Sequence, residues 1–482
     1  MNSLHVDVAV IGAGTAGLAA FRAAKSHGKS AVLIEGGPYG TTCARVGCMP
    51  SKLLIAAAEA AHGIAHAPGF GVHADNLRID GRAVMARVRA ERDRFVGFVL
   101  EGVERIPEAQ RLRGHARFLD AKRLQVDEHT VVHAERIVIA TGSKPQIPQA
   151  LRDAGKRLVV NDDVFEWQDL PESVAVIGTG VIGLELGQAL HRLGVRVAVF
   201  GRSARLAQLS DPEVTAAAAR VLGQELDLRC HATMLGAHDE GERVQLRYRD
   251  AHGAEHAEHF RFILAAAGRM PDVKHLGLET TDLELDAHGV PRFDPRTMQC
   301  GTSAIFIAGD ANHERPLLHE AADQGRIAGD NAALFPAVHP GLRRSPLNIA
   351  FTDPQIAVAG QSSAELGGPG GLGDKVACGA VSFEDQGRSR VMRQNRGLLR
   401  VYGEYGSMRF LGAEMIGPRA EHLAHLLAWA HQNGMTVPAM LEMPFYHPVI
   451  EEGVRTALRD LNEKLQRGLP EIEHCTDCTP GM

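Results

Sequence analysis

Along this chain, short runs of consecutive apolar residues alternate with glycine-rich turns and with stretches of helical periodicity. That is the order expected of parallel strands buried on both faces and connected by helices. Val6 to Ile11 (VDVAVI) predicts a buried strand, Leu18 to Ser26 a helix, and Ser30 to Ile34 a second strand ending in Glu35. Leu53 to Leu100 mixes helical periodicity with an Ala- and His-rich stretch and carries no assignable chemistry. Strand-like pieces occupy Arg117 to Val132, and Arg136 to Ser143 reads as a buried strand running into the turn Thr141-Gly142. Lys144 to Leu151, with two prolines, predicts no regular element and suits a crossing between domains. A second strand and helix begin at Ser173 (SVAVIGTGVIGLELGQAL). Glu213 to Phe260 predicts polar strands, Phe262 to Ala266 a buried strand, and Gly268-Arg269-Met270-Pro271 a turn. Ala304 to Asp310 is a further buried strand, followed by a helix starting near Leu317 that carries His319. Beyond Pro346 the pattern changes to half-buried strands (Ile356 to Ala359, Leu398 to Tyr402, Phe410 to Ile416), an amphipathic helix (Ala420 to Gln432) and a terminal helix after Pro448.

Two of the strand–turn–helix units share one glycine spacing: Gly12, Gly14 and Gly17 in the first, Gly178, Gly180 and Gly183 in the second. Such a turn lets a backbone approach a pyrophosphate closely and aims a helix N-terminus at it, so each unit predicts a dinucleotide site. In the first, Glu35 ends the second strand, where an acid accepts ribose hydroxyls. Glu35 lies 23 positions after Gly12; the same offset from Gly178 reaches Gly201, followed by Arg202 and, nearby, Arg205. A missing acid removes repulsion against a 2′-phosphate and arginine can bind one, so the second site is expected to take NADP, or to accept both NAD and NADP. Asp310 stands at the C-terminal end of a buried strand, where a carboxylate can meet a ligand.

The chemistry-bearing stretch is Gly36 to Lys52 (GGPYGTTCARVGCMPSK), in which Cys43 and Cys48 are five positions apart. An unbroken α-helix would hold such a pair about 8 to 9 Å apart at Cα, whereas a disulfide needs roughly 4.4 to 6.8 Å. Bonding therefore requires a distorted first turn, which Gly47 can supply, and a helix start favours a thiolate. Late in the chain stands a second chemical cluster, Phe445-Tyr-His447-Pro-Val-Ile-Glu451-Glu452.

Composition bounds the setting. A chain of 482 residues predicts about three domains, and 45% hydrophobic residues supply large cores. The net charge of −6 gives no electrostatic reason to bind nucleic acid. The N-terminus enters a strand at once, without a basic leader or a membrane-spanning run, so a cytoplasmic protein is expected. Seven scattered cysteines do not form a secreted disulfide framework, and in a reducing compartment a close pair reads as catalytic or metal-binding.

Together, the cysteine stretch, the two glycine units, the ATGS and AGD turns and the late His-Pro with a Glu five positions on resemble the flavin-dependent pyridine nucleotide-disulfide oxidoreductases, and within them the dihydrolipoyl dehydrogenases. The resemblance implies an α/β fold: two Rossmann-like dinucleotide-binding domains plus an α+β C-terminal dimerisation domain. It divides the chain into an FAD-binding domain (1–150), an NAD(P)-binding domain (151–272), a second FAD-binding or central part (273–345), an interface domain (346–470) and a cysteine-containing tail (471–482). It implies a homodimer, FAD on Gly12, Gly14, Gly17, Glu35, Thr141, Gly142 and Asp310, and NAD or NADP on Gly178, Gly180, Gly183, Arg202 and Gly268. Cys48 would be the charge-transfer thiol beside the flavin and Cys43 the interchange thiol meeting substrate. Lys52 would lie near flavin N5 with Glu185 as its ion-pair partner, and His447 would be the general base oriented by Glu452, serving the neighbouring subunit's disulfide. The implied reaction moves two electrons between dihydrolipoamide and NAD(P) through FAD and a Cys43/Cys48 disulfide. The alternative is an NADPH-dependent reductase of another disulfide, glutathione-like or protein-borne. Pro50-Ser51-Lys52 favours the dihydrolipoyl dehydrogenases over glutathione and thioredoxin reductases, which usually have lysine at the position of Ser51. Mercuric reductases rank lower because they usually lack the late histidine. No metal site, nucleic acid or membrane is expected, and the tail cysteines, Cys475 and Cys478, are read as an incidental pair or an accessory redox pair.

Overall fold

A computed structural model describes residues 2–367 and 372–468, so Cys475 and Cys478 lie outside the described residues. The first sheet has seven strands, with Asn2–Ile11 paired in parallel to Ala31–Glu35 on one side and to Thr130–Ile139 on the other. After an excursion of more than 150 residues the chain returns to this sheet: Ile305–Ile307 pairs in parallel with Ile137 to Ile139. That return places Asp310 beside the end of the strand that leads into Thr141-Gly142. One face buries Val8, Val10, Leu33, Val138 and Phe306 under the helices Thr15–Ser26 and Leu318–Leu334. The two helices cross closely because their contact surfaces are small. A Cβ on Gly325 would sit 2.2 Å from the Ala16 carbonyl oxygen, and one on Gly329 would sit 2.3 Å from that of Ala20.

The second sheet is parallel throughout, in the order Asp227–Arg229, Arg196–Phe200, Ser173–Ile177, Phe262–Ala265, Leu158–Val159. Its helix Val181–Arg192 follows the second glycine turn. Between Glu213 and Phe260 the strand expectation holds for the antiparallel meander Thr233–Asp239, Val244–Arg249 and Glu255–Phe260, but its first part is a helix, Pro212–Leu222. The cause is local: Asp211 accepts from Glu213 N and Val214 N as an N-cap, Pro212 sits in the first turn, and four alanines follow. The segment Gly268 to Pro271 also differs from a plain turn. Arg269–Pro271 forms an antiparallel pair with Ser143–Pro145, so the two crossings between the sheets are zipped to each other.

The third sheet is antiparallel: Leu347–Ala350, Gln355–Gly360, Phe410–Gly417, Leu398–Glu404, Val376–Ser382. Ala420–Gln432 and Glu452–Arg467 cover it, burying Phe383, Val401, Phe410, Leu423, Leu427, Leu458 and Leu461. Among the described residues no helix is long and apolar enough to cross a membrane.

The crossing of Thr15–Ser26 with Leu318–Leu334 gives a stability test. Gly329→Val forces a branched side chain against a backbone oxygen and is expected to cost about 1–3 kcal/mol as overpacking. Gly102→Ala, in the helix Gly81–Glu104 with only the Arg22 guanidinium within 4 Å of the new methyl, is expected to gain up to about 1 kcal/mol. Denaturant unfolding of the two variants checks the opposite signs.

Candidate active site

The cysteine stretch is built from two helices separated by one residue. Thr41 caps the short helix Thr42–Val46, its Oγ1 accepting from Ala44 N at 3.3 Å, and the long helix Cys48–His66 starts after Gly47. A side chain at Gly47 would lie 3.1 Å from the Thr42 carbonyl oxygen and 3.3 Å from Cys43 Cα, so the missing Cβ is what lets the second helix begin against the first cysteine. The break expected at Gly47 is therefore present. Both sulfurs are free thiols here, Cys43 half-buried and Cys48 exposed at the helix start. The Cys43 thiol donates to the Cys48 sulfur, which is the main reason Cys48 is held down at about 7; the Lys52 ammonium adds to this, while burial opposes it. Donating that proton, together with burial, pushes Cys43 far up. The pair is a dithiol ready to exist as one thiolate and one thiol.

Lys52 follows Cys48 by one helical turn, which places both on one face of the helix. Its Nζ lies 2.7 and 2.9 Å from the two carboxylate oxygens of Glu185, on the helix after the second glycine turn, and 4.5 Å above the Phe351 ring. Glu185 is 3% exposed and also accepts from Phe351 N at 2.9 Å. Ser51 Oγ donates to the Cys48 carbonyl at 3.1 Å, tightening the first turn of the helix.

The two glycine cradles are superimposable in their contacts. Gly12 and Gly178 have φ of +104° and +126°, and a Cβ on either would strike the oxygen of Ala140 or of Ala266, 2.3 and 2.2 Å away. A Cβ on Gly17 or Gly183 would strike the carbonyl of the first glycine at 1.8 or 1.9 Å. The middle glycines, Gly14 and Gly180, face open space at helix starts that no side chain caps, leaving backbone NH groups free for an anion. Ala140-Thr141-Gly142 and Ala266-Ala267-Gly268 occupy the same place relative to their cradles, with Gly142 and Gly268 at φ +71° and +113°. Both turns are marked in the sequence, but their correspondence emerges only in three dimensions.

The first cradle fits FAD on three observations. Thr141 Oγ1 is buried with no partner in the chain, the free helix start faces open space, and Glu35 and Asp310 border the same strand ends. Glu35 accepts from Ala13 N and Gly37 N, each at 2.7 Å. Asp310 accepts from Ser143 Oγ at 2.7 Å, and Arg269 donates to Ser143 Oγ and O at 2.8 and 2.7 Å. Ser143 and Arg269 lie inside turns the sequence marks, whereas Phe351 carries no sequence signal, since only the tertiary fold brings it to Lys52.

At the second cradle, strand register confirms the equivalence of Glu35 and Gly201: Ile11 pairs with Ile34 and Ile177 with Phe200. A Cβ at Gly201 would lie 2.8 Å from Thr179 Cγ2. Arg202 and Arg205 are exposed, and among the described residues neither forms an ion pair. Thr179 holds their loop by donating to the Arg205 carbonyl at 2.7 Å and accepting from Ala207 N at 2.8 Å.

His447 is joined to Glu452, with Nδ1 at 3.0 and 3.1 Å from the two carboxylate oxygens. Val449 N and Arg455 also donate to Glu452, and the bond to His447 heads the causes that hold its carboxyl below the usual range. The His447 side chain is 79% exposed, and within the single chain it makes no hydrogen bond to either cysteine.

Comparison with known proteins matches residues 6–325 to the family described as pyridine nucleotide-disulphide oxidoreductase and residues 347–458 to that family's dimerisation domain. A mercuric reductase of Shigella flexneri is 31% identical over 97% of this chain and 82% of its own length. A dihydrolipoyl dehydrogenase of Chlamydia pneumoniae is 30% identical over 92% of this chain and 95% of its own. In structure, the HOCl-induced flavoprotein disulfide reductase RclA of Escherichia coli, in its Cu(II) complex, superimposes with a TM-score of 0.79 at 21% identity, covering 96% of this chain and all of that one. Mercuric reductases, expected from the late histidine to rank lower, match as closely as the dihydrolipoyl dehydrogenases.

In the reduced protein, thiol alkylation against pH is expected to show a midpoint near 7 from Cys48. Lys52→Met removes a favourable charge and moves that midpoint up, because the thiolate loses its cationic neighbour. A midpoint near the ordinary thiol value of about 8.5 in the unmodified protein would rule out the coupling.

Proposed function

Because the chain belongs to the pyridine nucleotide-disulphide oxidoreductase family, whose members are FAD-dependent enzymes using NAD(P)H, we propose that it transfers two electrons between NADP(H) and a small dithiol/disulfide, dihydrolipoamide/lipoamide in first place. The observation that carries the dithiol reading is the His447–Glu452 pair. A dithiol attacks a disulfide only as thiolate, so its oxidation needs a base. Donation from Nδ1–H to Glu452 leaves Nε2 as the acceptor that takes the substrate proton. The exposure of His447, and of Tyr446 (81%) and Trp429 (67%) in the same dimerisation region, supports a homodimer in which this histidine serves the partner's cysteines.

In this reading the first glycine cradle, with Glu35, Thr141 and Asp310, would hold FAD, which would supply two-electron transfer between the nicotinamide and the cysteine couple. Cys43, the thiol that keeps its proton, meets the substrate sulfur. Cys48 is the thiolate held ready by Cys43 and Lys52. In the oxidation of R(SH)₂ the first substrate thiol gives its proton to His447 and attacks Cys43, breaking the Cys43–Cys48 bond, forming a mixed disulfide at Cys43 and releasing Cys48 as thiolate. The second substrate thiol then closes the substrate disulfide by displacing Cys43, and its proton passes to the departing Cys43 sulfur. Glu185 keeps Lys52 in place on the cysteine helix.

The coenzyme loop supports NADP(H). Gly201 stands where an acid would repel a 2′-phosphate, and Arg202 and Arg205 lie exposed beside it, without an ion-pair partner among the described residues. That loop, with the likeness to mercuric reductases, favours one second reading: NADPH-driven reduction of another acceptor, such as glutathione disulfide or Hg(II).

A steady-state matrix of NADH and NADPH against lipoamide, oxidised glutathione and Hg(II) tests both readings. The first expects lipoamide to be the best acceptor, with NADPH preferred; a best rate with Hg(II) or glutathione disulfide sinks it in favour of the second. His447→Gln is expected to lower dihydrolipoamide oxidation by about 10² to 10⁴, and Cys48→Ser to abolish it while the flavin stays bound. An unchanged rate in either variant contradicts the assigned role.

A further inference from the structure

The loop carrying Arg202 and Arg205 runs from Gly201 to Asp211, between the strand Arg196–Phe200 and the helix Pro212–Leu222. Its middle is held by Thr179, inside the glycine turn, and its apolar residues Leu206 and Leu209 are fully buried. Its far end is held from another sheet. Glu414, on the antiparallel strand Phe410–Gly417, has no exposed surface, yet its carboxylate accepts four hydrogen bonds. Oε2 takes Ser210 N at 2.7 Å and Asp211 N at 2.9 Å, while Oε1 takes Ser210 Oγ at 2.6 Å and Ser363 N at 2.8 Å. Asp211, 1% exposed, is bound in turn by Arg400 at 3.1 Å and Tyr402 at 2.9 Å from the neighbouring strand.

A carboxylate buried this completely is costly unless its acceptor sites are filled. Here three of its four donors come from two consecutive residues at the end of one loop. Apolar burial of Leu206 and Leu209 alone would hold the loop down without fixing its direction; three hydrogen bonds from the loop to one carboxylate fix both. Two arginines on a loose loop would lose conformational entropy on gripping a phosphate, and a loop fixed beforehand spares that loss. We infer that Glu414, a residue of the dimerisation region remote in sequence from the coenzyme unit, is a positioning residue for recognition of the coenzyme's 2′-phosphate by Arg202 and Arg205. This rests on the NADP(H) reading above.

The test uses the full-length, FAD-loaded protein and calorimetric titration with adenosine 2′,5′-bisphosphate and with 5′-AMP, alongside NADPH and NADH kinetics. In Glu414→Gln an amide NH₂ replaces one acceptor oxygen and faces donors. The expected result is about tenfold weaker binding of the bisphosphate, the scale of one charge-assisted hydrogen bond. Affinity for 5′-AMP should stay unchanged, and KM for NADPH should rise about tenfold with kcat within twofold. Ser210→Ala, which removes the shortest of the four contacts, should shift the same quantities in the same direction by less, and it decides the matter if Glu414→Gln unfolds. Equal weakening of both nucleotides, or no weakening while Arg202→Ala loses the bisphosphate, overturns the positioning role and leaves the coenzyme reading standing. If the unmodified protein binds both nucleotides equally, the coenzyme reading fails and this inference fails with it.

Discussion

The site depends on one buried carboxylate. Glu185 lies on the helix of the second glycine cradle, Lys52 on the helix that begins at Cys48, and Phe351 directly after the first strand of the third sheet, and the three meet within hydrogen-bonding distance. A carboxylate so little exposed would be expensive without partners, and removing Lys52 would leave it short of its main one. The cysteine helix therefore cannot slide against the second cradle without uncovering that charge. The same contact orients the ammonium that helps keep Cys48 a thiolate. One interaction thus seats the cysteine helix against the second cradle and holds the cation that adds to the Cys43 hydrogen bond in lowering Cys48.

What the sequence made legible is what local geometry enforces. Parallel strands buried on both faces read as unbroken apolar runs, so the strands at Val6, Ser173, Phe262 and Ala304 emerge from the sequence, and so does the helix Ala420–Gln432. The glycine spacing is legible because each glycine answers a steric demand within a few residues of itself. The helix Pro212–Leu222 is missed although Asp211-Pro212 is a helix start, because the polar strands after it dominate the window. The pairing of Arg269–Pro271 with Ser143–Pro145, the contact of Phe351 with Lys52 and the bracing by Glu414 have no local signature. Each joins residues more than 100 positions apart, and only packing selects the partner.

The two cradles show how far one geometry can carry different chemistry. In the first, Glu35 binds Ala13 N and Gly37 N, so the acid proposed for the FAD ribose also braces its own loop. In the second, the equivalent position is Gly201, and a side chain there would press on Thr179. The bracing passes to Thr179, which stands where Ala13 stands in the first copy and binds the loop through both its hydroxyl and its carbonyl.

Loss of the acid has therefore not left the second loop slack. A cradle that had merely lost its ribose acid would be expected to lose order in the loop that follows. Instead this loop gains a hydroxyl anchor at its middle, buries two leucines and ends on the fully buried Glu414, while its two arginines are exposed. Burying a carboxylate to hold a surface loop is a poor exchange for stability alone, since apolar residues would hold the same loop at lower desolvation cost. It makes physical sense when the direction of the loop matters, and that is the requirement of a pair of guanidinium groups that must meet a phosphate at a fixed point beside a helix start.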